Sequence, residues 1–322
     1  MNPNFSNHLL NVTDSSACEE VEIIQSLWSG YGKISRFKLQ GSAFDTVVVK
    51  HISLRKGNEH PRGWNSDNSH NRKVRSYEVE IQWYQGWNQL CKESSRTPKF
   101  LGSFTQDAEH WIIMEDLASQ YPVLKQQLDM AEIKTCLKWL ANFHCTFINQ
   151  EPADLWEIGT YWHLATRPEE FEKIEHEGLK RKAHQIDELL TGCSYQTIVH
   201  GDAKLANFCF SKSGKEVSAV DFQYVGRGCG MKDVAYFLGS CLTNDECESH
   251  NEALLEFYFS ELERAIGNST LEIDYKALEL EWRIMFPIAW TDFTRFLLGW
   301  MPSHQKVNNY SLRVMQSVLI SL

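Results

Sequence analysis

The sequence predicts an α+β fold with two lobes, a small β-rich N-terminal lobe (residues 1–117) and a larger helical C-terminal lobe (residues 118–322). At 322 residues the chain exceeds the roughly 250–300 residues over which one hydrophobic core keeps growing. Runs of β-branched and apolar residues of strand length lie in the first third, whereas apolar residues recur at helical spacing through the second half. No Pro-, Gly- or Ser-rich linker separates the halves, so we expect a ligand cleft between closely joined lobes.

Three strands and one helix are predicted in the N-terminal lobe. The strands are Ile34 to Leu39, Thr46 to Ile52 and Trp111 to Met114. The helix is predicted from Ser76 to Trp87, where apolar residues recur at helical spacing. Between them, residues 53–75 form a long polar stretch with six Lys and Arg side chains. Long loops are usually functional or disordered, so this stretch either closes over phosphates or is a solvated loop.

Helices dominate the predicted C-terminal lobe. One has an apolar face from Ile133 to Phe147, and His144 on that face is expected to be a core histidine bonded to a neighbouring backbone group. Further helices are predicted near residues 169–190, 231–242, 250–266, 274–300 and 309–322. Short buried strands are predicted at Thr197–Val199, Phe208–Phe210 and Val217–Val220, with Gly214 in the turn of a hairpin.

The most informative segment is His200-Gly201-Asp202, with Asn207 five residues after the aspartate and Asp221 nineteen after it. Phosphoryl transfer needs a carboxylate to accept the proton of the substrate hydroxyl, and an Asn and an Asp to hold Mg²⁺ against the phosphates. Asp202, Asn207 and Asp221 fit these roles in that order. Lys204 is placed to direct its ammonium at the transferred group. The alternative is an ordinary turn after a strand, since Gly and Asp are common turn residues.

This segment, His200-Gly201-Asp202-x-Lys204-x-x-Asn207 with Asp221-Phe222-Gln223, resembles the aminoglycoside phosphotransferase and choline kinase superfamily, most closely its ecdysteroid-kinase-like branch. The resemblance extends from about Ile23 to the C-terminal helices. It implies a protein-kinase-like fold and an enzyme that uses ATP and Mg²⁺ to phosphorylate a hydroxyl group of a small molecule. Protein kinases have Arg where Gly201 stands and Gly where Gln223 stands, so a peptide substrate is not expected.

The resemblance also assigns roles in the N-terminal lobe. Lys50 is expected to bind the α- and β-phosphates, although an exposed strand lysine is the alternative. Glu80 is expected to pair with Lys50, and Glu78 is the second candidate. Gly30 and Gly32 are expected to cover the phosphates with their amides, but a plain turn is equally compatible, because Ser35 takes the place of a third glycine.

Two further segments match the superfamily. Glu115-Asp116-Leu117 corresponds to the linker whose main chain meets adenine, so Glu115 and Leu117 are expected to bind ATP through backbone groups. Asp233, in Met231-Lys232-Asp233-Val234-Ala235, matches a family segment, and we expect it to brace the catalytic loop.

Substrate specificity is expected in the C-terminal lobe. Aromatic residues recur along residues 282–300, and Trp290 with Asp292 is a candidate pair for holding a cationic substrate by cation–π and ionic attraction. Core packing is the alternative, because aromatics three and four residues apart are also how helices bury one face.

Composition limits the partners. The net charge of −10 argues against nucleic-acid binding, which needs clustered Lys and Arg, and favours a cationic substrate only weakly. No apolar run reaches the roughly 20 residues that span a bilayer, and residues 1–20 show no leader pattern. The nine cysteines include no Cys-x-x-Cys pair, so we expect reduced thiols and a cytoplasmic protein. We expect neither a membrane nor a protein partner.

Two functions from different classes remain open. The first is an ATP- and Mg²⁺-dependent kinase of a small alcohol, such as an amino alcohol, an aminoglycoside, a sugar or a sterol-like compound. The second is a pseudokinase that binds nucleotide or serves as a scaffold without turnover. The complete set of polar groups around Asp202 favours the kinase, and the incomplete glycine loop favours the pseudokinase.

Overall fold

The computed structural model describes residues 2–27, 30–54 and 67–322, and the chain forms two compact units. Unit 1 comprises Met1–Leu90 and Thr97–Pro122, and unit 2 comprises Cys91–Arg96 and Val123–Leu322. The predicted boundary after residue 117 falls inside unit 1. An antiparallel sheet dominates unit 1 and helices dominate unit 2, so the predicted α+β fold class is confirmed.

Unit 1 is a five-stranded antiparallel sheet with strand order β1-β2-β3-β5-β4. Its elements are α1 (Pro3–Val12), β1 (Ala17–Ser26), β2 (Gly32–Gln40), β3 (Thr46–Ser53), α2 (Asp67–Gln82), a π-helical turn (Trp83–Trp87), β4 (Phe100–Gln106) and β5 (Glu109–Glu115). The three predicted strands lie inside β2, β3 and β5. The sequence did not predict α1, β1 or β4. Strand β1 lies at the edge of the sheet, and its apolar residues Val21, Ile23 and Ile24 are exposed. It therefore lacks the alternation of apolar and polar residues that marks a half-buried strand.

Helix α2 begins earlier than predicted. It starts at Asp67 instead of Ser76 and ends at Gln82, where the π-helical turn follows. Residues 67–75 of the predicted polar loop are therefore helical, and the mostly polar, partly or fully exposed side chains of residues 68–75 explain why no apolar period marked them. Residues 55–66 of that loop lie outside the described residues. The expectation that this loop closes over phosphates concerns those residues and stays a prediction.

The two faces of the sheet place Lys50. Val47 and Val49 of β3 are buried against α1, whose Phe5 stacks on Trp111 of β5 with ring centroids 5.1 Å apart. Side chains alternate along a strand, so Lys50 lies on the opposite face from these valines. On that face it meets a side chain of α2, as described below.

Unit 2 is mainly helical. Its elements are β6 (Val123–Leu124), α3 (Met130–Phe147), α4 (Pro168–Glu172), α5 (Glu177–Thr191), β7 (Thr197–Val199), β8 (Phe208–Phe210), β9 (Val217–Ala219), β10 (Gly226–Gly228), α6 (Met231–Cys241), α7 (Asn244–Gly267), α8 (Tyr275–Trp300) and α9 (Asn309–Ser321). Helix α3 packs on α7, and α8 packs on α5, α6 and α9. The short strands form antiparallel sheets in the orders β6-β8-β9 and β10-β7, and Gly214 lies at φ +71° in the β8–β9 hairpin, as predicted.

Caps explain where the predicted helix bounds were wrong. The helix expected near residues 169–190 is two helices, because Pro168 starts α4 and the His176 side chain caps a separate α5 by accepting from Leu179 N–H. The helix expected from residue 250 begins at Asn244, where Thr243 and Glu246 form a capping box. Across residues 2–27, 30–54 and 67–322, no helix combines the length and apolarity that crossing a membrane requires.

Candidate active site

Asp233 holds the backbone of the His200-Gly201-Asp202 segment. Its carboxylate, in the first turn of α6, accepts the N–H of His200 at 2.6 Å and that of Gly201 at 2.9 Å. The same carboxylate accepts from His144 Nε2 at 3.2 Å, and the side chains of Asp233, His144 and His200 are fully buried. The prediction that Asp233 braces this segment is confirmed. The expectation for His144 was wrong in its partners, since the ring bonds to the side chains of Asp233 and Tyr258 instead of a backbone group.

Gly201 is required by close packing. It has φ +78°, and a Cβ atom there would lie 2.0 Å from the carbonyl oxygen of Tyr224. Only glycine combines a positive φ with so close an approach of another backbone. The chain therefore turns tightly after β7 and presents the next side chain, Asp202.

Three hydrogen-bond donors converge on the Asp202 carboxylate, which is 6% exposed. Lys204 Nζ donates to Oδ2 at 2.9 Å and Asn207 Nδ2 donates to the same oxygen at 3.2 Å. The Tyr236 hydroxyl donates to Oδ1 at 3.0 Å. Asn207 also donates to the Asp202 carbonyl at 2.8 Å, which fixes the amide nitrogen toward the aspartate and directs the amide oxygen elsewhere.

Electrostatics keep these donors protonated. Burial alone would lower the pKa of Lys204, but the Asp202 and Asp221 carboxylates outweigh burial and raise it. Burial, followed by the charge of Asp202, raises the pKa of Tyr236 well above its usual value. An ammonium and a neutral phenol therefore face Asp202 at neutral pH.

The structure brings Asn207 and Asp221 into adjoining segments. The N–H of Val220 donates to the Asn207 carbonyl at 3.0 Å, and Asp221 is the next residue. Asp221 has φ +70°, a conformation that costs a non-glycine residue about 1 kcal/mol or more and is concentrated at functional sites. Its Oδ1 accepts from Gln223 Nε2 at 2.6 Å.

Lys50 and Glu80 form a buried ion pair in unit 1. Lys50 Nζ lies 2.6 Å from Glu80 Oε2, and the two side chains are 3% and 2% exposed. Glu78, the second candidate, instead lies 3.5 Å from Arg75 and is about half exposed. Lys50 is therefore not the exposed strand lysine of the alternative.

The glycine segment forms the turn between β1 and β2. Gly30 has φ +74° and donates its N–H to Leu27 O at 3.2 Å. Gly32 has φ +141°, and a Cβ atom there would lie 2.0 Å from the His51 carbonyl oxygen. The hairpin by itself accounts for both glycines, and their role over phosphates stays a prediction. Ser29, between the two strands, lies outside the described residues.

The Glu115–Leu117 linker is anchored by a side chain that the sequence did not single out. Asp116 is 8% exposed and its carboxylate accepts from Arg36 Nε at 2.5 Å, from Thr46 Oγ1 at 2.8 Å and from Ala118 N–H at 3.0 Å. The Glu115 N–H donates to the Lys99 carbonyl, and the Glu115 carboxylate accepts from the Lys99 N–H. The Leu117 carbonyl accepts from the N–H groups of Gln120 and Tyr121. These bonds fix the path of the main chain.

The predicted substrate residues on α8 are buried. Asp292 is fully buried, and its carboxylate is occupied by Arg295 at 2.8 Å and by Trp162 Nε1 at 3.0 Å. Asp292 is therefore not placed to hold a cationic substrate. It is part of the core, as the alternative of core packing predicted. Trp290 is 5% exposed and donates its indole N–H to Ser311 at 3.0 Å, but it also lines a small pocket in unit 2.

Tyr236 is the residue nearest to Asp202 that the sequence analysis missed. It lies three residues after Asp233 on α6, so the two share the helix face that meets the catalytic segment. This spacing was the available signal. A tyrosine in an apolar helix otherwise resembles any core aromatic.

Comparisons with known proteins agree with this geometry. Residues 157–269, which include Asp202, Asn207, Asp221 and Asp233, match the family model of the ecdysteroid kinase-like family. No curated protein sequence matches the chain at a significant level. The family match confirms the predicted resemblance over residues 157–269.

Solved structures of small-molecule kinases resemble the chain to different degrees. A microcompartment-associated aminopropanol kinase is 15% identical, with 97% of this chain and 93% of that chain covered and a TM-score of 0.55. An aminoglycoside phosphotransferase from Streptomyces rimosus in complex with ADP and streptomycin is 12% identical, with 88% and 97% covered and a TM-score of 0.46. An ethanolamine kinase from Plasmodium vivax is 11% identical, with 98% and 86% covered and a TM-score of 0.49. The first of these likenesses shows that the chain shares the fold of that aminopropanol kinase.

Proposed function

From the ecdysteroid kinase-like match and the geometry at Asp202, we propose that this protein is a small-molecule kinase that transfers the γ-phosphoryl group of ATP to a hydroxyl group in a Mg²⁺-dependent reaction. The observation that carries the proposal is the convergence of Lys204, Asn207 and Tyr236 on one buried carboxylate. The acceptor is a small alcohol, among amino alcohols, aminoglycosides, sugars and sterol-like compounds. We place the reaction in the cytoplasm, where the nine free cysteines stay reduced.

Asp202 orients the acceptor hydroxyl and takes its proton. Its carboxylate is held on one side by Tyr236 and on the other by Lys204 and Asn207, so its direction is fixed before the acceptor arrives. Fixed geometry is a large part of catalysis in phosphoryl transfer, because the loose transition state requires little covalent chemistry from the protein.

Lysines stabilise the phosphates. Lys204 remains an ammonium beside Asp202 and Asp221, and there it offsets the charge of the transferred group. Lys50 binds the α- and β-phosphates, and Glu80 keeps its side chain extended and charged. Losing either member of this buried pair removes an opposite charge at 2.6 Å from the other.

Asn207 and Asp221 fit a magnesium ion. Mg²⁺ prefers oxygen ligands, and these residues offer an amide oxygen and a carboxylate from adjoining segments. The Asn207 amide nitrogen is engaged by Asp202, which leaves its oxygen as the ligand atom. When bound, the ion neutralises charge on the phosphates.

Main-chain groups are assigned to the nucleotide. Glu115 and Leu117 contact adenine through their backbone, since Asp116 fixes the course of that segment. Gly30 and Gly32 cover the phosphates with their amides. Their hairpin geometry is compatible with this role and does not require it.

The pseudokinase alternative keeps one supporting observation, the serine at position 35 in place of a third glycine. Ser35 is 2% exposed and donates to Glu20 at 2.8 Å within the sheet. A binding module would keep nucleotide affinity without turnover. The variants below separate these two functions.

Asp202→Ala tests the proposal directly. We expect it to abolish phosphorylation while Mg-ATP binding, measured by calorimetry, survives. Asp274→Asn, at the exposed N-cap of α8, is the control for expression and folding. Wild-type activity in Asp202→Ala would remove this residue from the mechanism. Nucleotide binding with no turnover by the wild type, across choline, ethanolamine, aminoglycosides, sugars and sterols, would favour the pseudokinase.

Asp221→Asn tests the metal assignment. We expect weaker Mg²⁺-dependent nucleotide binding, because the amide has lost the charge that attracts the cation. Titrating Mg²⁺ at fixed ATP measures the change. An unaltered magnesium dependence would refute the ligand role.

A further inference from the structure

Lys306 lies between α8 and α9, and its ammonium rests on two aromatic rings. Its Nζ is 5.1 Å from the ring centroid of Tyr236 and 5.6 Å from that of Phe293. The backbone is fixed on both sides, since Lys306 N–H donates to His304 Nδ1 at 3.2 Å and its carbonyl accepts from Ser311 Oγ at 2.8 Å. These contacts hold the lysine in one place beside the two rings.

Tyr236 connects this cation to the proposed catalytic carboxylate. Its ring is 4% exposed and packs against the rings of Trp162 and Phe293, each with a centroid distance of 4.8 Å. Its hydroxyl donates to Asp202 Oδ1 at 3.0 Å. One face region of the phenol therefore meets the Lys306 ammonium while its hydroxyl meets the Asp202 carboxylate, and neither contact requires the ring to move.

A charge beside the ring changes the strength of the hydroxyl as a donor. A cation near an aromatic ring attracts the π electrons, and a phenol that has lost electron density releases its proton more readily. A more acidic O–H makes a stronger hydrogen bond to an ionised acceptor, and linked polar groups polarise one another in this way inside a protein. The Lys306 charge should therefore strengthen the bond from Tyr236 to Asp202.

Among the groups around Lys306, only this lysine changes its charge between pH 7 and 9. The titratable or charged groups that face it are Asp202 and Lys204 of the segment after β7, Tyr236 and Cys241 of α6, Cys247 of α7 and His304 of its own segment. Burial lowers the pKa of Lys306 from 10.5 to about 8, with Lys204 acting in the same direction and Cys241 and Asp202 opposing.

The neighbours keep their protonation states over this range. Burial raises the pKa values of Tyr236, Cys241 and Cys247, so these groups stay protonated. The pKa of Lys204 is raised and that of His304 is lowered, so the first stays charged and the second stays neutral.

We propose that Lys306 is a positioning residue for phosphoryl transfer, because its charge acts through the Tyr236 ring and strengthens the hydrogen bond that fixes the Asp202 carboxylate. The proposal rests on the proposed phosphotransferase activity and adds a residue that sets its rate. A cation–π contact corresponds to roughly twofold to thirtyfold in an equilibrium, depending on burial. Since only part of this reaches Asp202, we expect loss of the charge to lower kcat by roughly threefold to tenfold.

The first measurement compares kcat and KM at pH 7. Initial rates of ADP formation are measured with the full chain, Mg-ATP and the alcohol that the wild type turns over fastest. Lys306→Met should lower kcat by roughly threefold to tenfold and leave the KM for Mg-ATP unchanged, because the charge acts on the transition state and not on nucleotide binding. Lys306→Arg should restore most of kcat. Lys138→Met, which removes an exposed charge from α3, is the matched control and should keep the wild-type kcat.

The pH profile separates this role from a structural one. As pH rises from 7 to 9, the wild-type kcat should decline toward that of Lys306→Met, because the ammonium is lost with a pKa of about 8. Over the same range the ratio of Lys306→Arg to Lys306→Met should stay constant, since neither side chain titrates there. A variant that merely folds less well would keep the decline, so parallel profiles of the wild type and Lys306→Met would overturn the proposal.

A double-mutant cycle tests whether Tyr236 is the intermediary. Tyr236→Phe keeps the ring and removes the hydroxyl that bonds to Asp202. In this background Lys306→Met should change kcat by less than about twofold, because the bond that the charge strengthens is absent. An equal effect of Lys306→Met in both backgrounds would show that the lysine does not act through the hydroxyl, and would overturn the inference.

Other outcomes identify which idea has failed. Turnover with the same kcat in the wild type and Lys306→Met would overturn the role of Lys306 and leave the kinase intact. Absence of ADP formation by the wild type with every alcohol of the broader panel, despite Mg-ATP binding, would refute the proposed function and this inference with it.

Discussion

Replacing Asp233 by asparagine tests whether one buried carboxylate sets the geometry of the His200-Gly201-Asp202 segment. The carboxylate accepts three hydrogen bonds, from His200 N–H, Gly201 N–H and His144 Nε2, at 2.6, 2.9 and 3.2 Å. An amide of the same shape presents an NH₂ group to at least one of these donors. A buried donor without an acceptor costs about 1–3 kcal/mol, and the remaining bonds lose the benefit of the charge.

We therefore expect Asp233→Asn to lower the free energy of unfolding by about 2–4 kcal/mol. A protein whose stability is about 5–15 kcal/mol stays folded after such a loss. The backbone of Gly201 is released next to Asp202, and a displacement of about 1 Å at a reacting group can cost roughly a hundredfold in rate. We expect kcat to fall by about that factor, with a smaller change in KM.

Urea unfolding measures the stability and initial rates of ADP formation measure kcat. Asp274→Asn is the matched control, because the same change at an exposed helix N-cap replaces one good capping residue by another. If Asp233→Asn unfolded within about 0.5 kcal/mol of this control and kept its kcat, the bracing role of the carboxylate would be refuted.

Two further results are expected. Glu80→Gln should lower the free energy of unfolding by about 3–5 kcal/mol, because it removes the negative charge that lies 2.6 Å from the buried Lys50 ammonium, and an unshifted urea midpoint would contradict this. Gly201→Ala should lower the melting temperature far more than Gly30→Ala. Both glycines have positive φ, but only at position 201 would the new Cβ atom lie 2.0 Å from a carbonyl oxygen. Equal melting temperatures of the two variants would contradict this.

The part of the site that the sequence predicted is local. Lys204 and Asn207 lie within five residues of Asp202, and β7 and β8 on either side fix their directions. A fixed spacing then carries most of the geometry. The Lys50–Glu80 pair joins β3 to α2, the next helix. Side chains alternate along β3, so Lys50 lies on the sheet face that α2 covers, opposite Val47 and Val49.

Other features could not be predicted because sequence spacing does not report burial. Trp290 and Asp292 have the same spacing whether a helix buries them or exposes them to a substrate, and the pairing of Asp292 with Trp162 and Arg295 decides between these cases. Helix α1 was missed for a related reason. Its short apolar face acquires meaning only when Phe5 stacks on Trp111, more than a hundred residues away.

Distance along the chain therefore decides which contacts of Asp202 a motif reveals. Lys204 and Asn207 lie within five residues of the carboxylate to which they donate, so a fixed spacing records both. Tyr236 lies 34 residues after Asp202, and it reaches the same carboxylate because Asp233, on the same helix, holds the backbone of His200 and Gly201. A motif confined to one segment therefore contains two of the three donors, and the third becomes visible only when the helix packs against the segment.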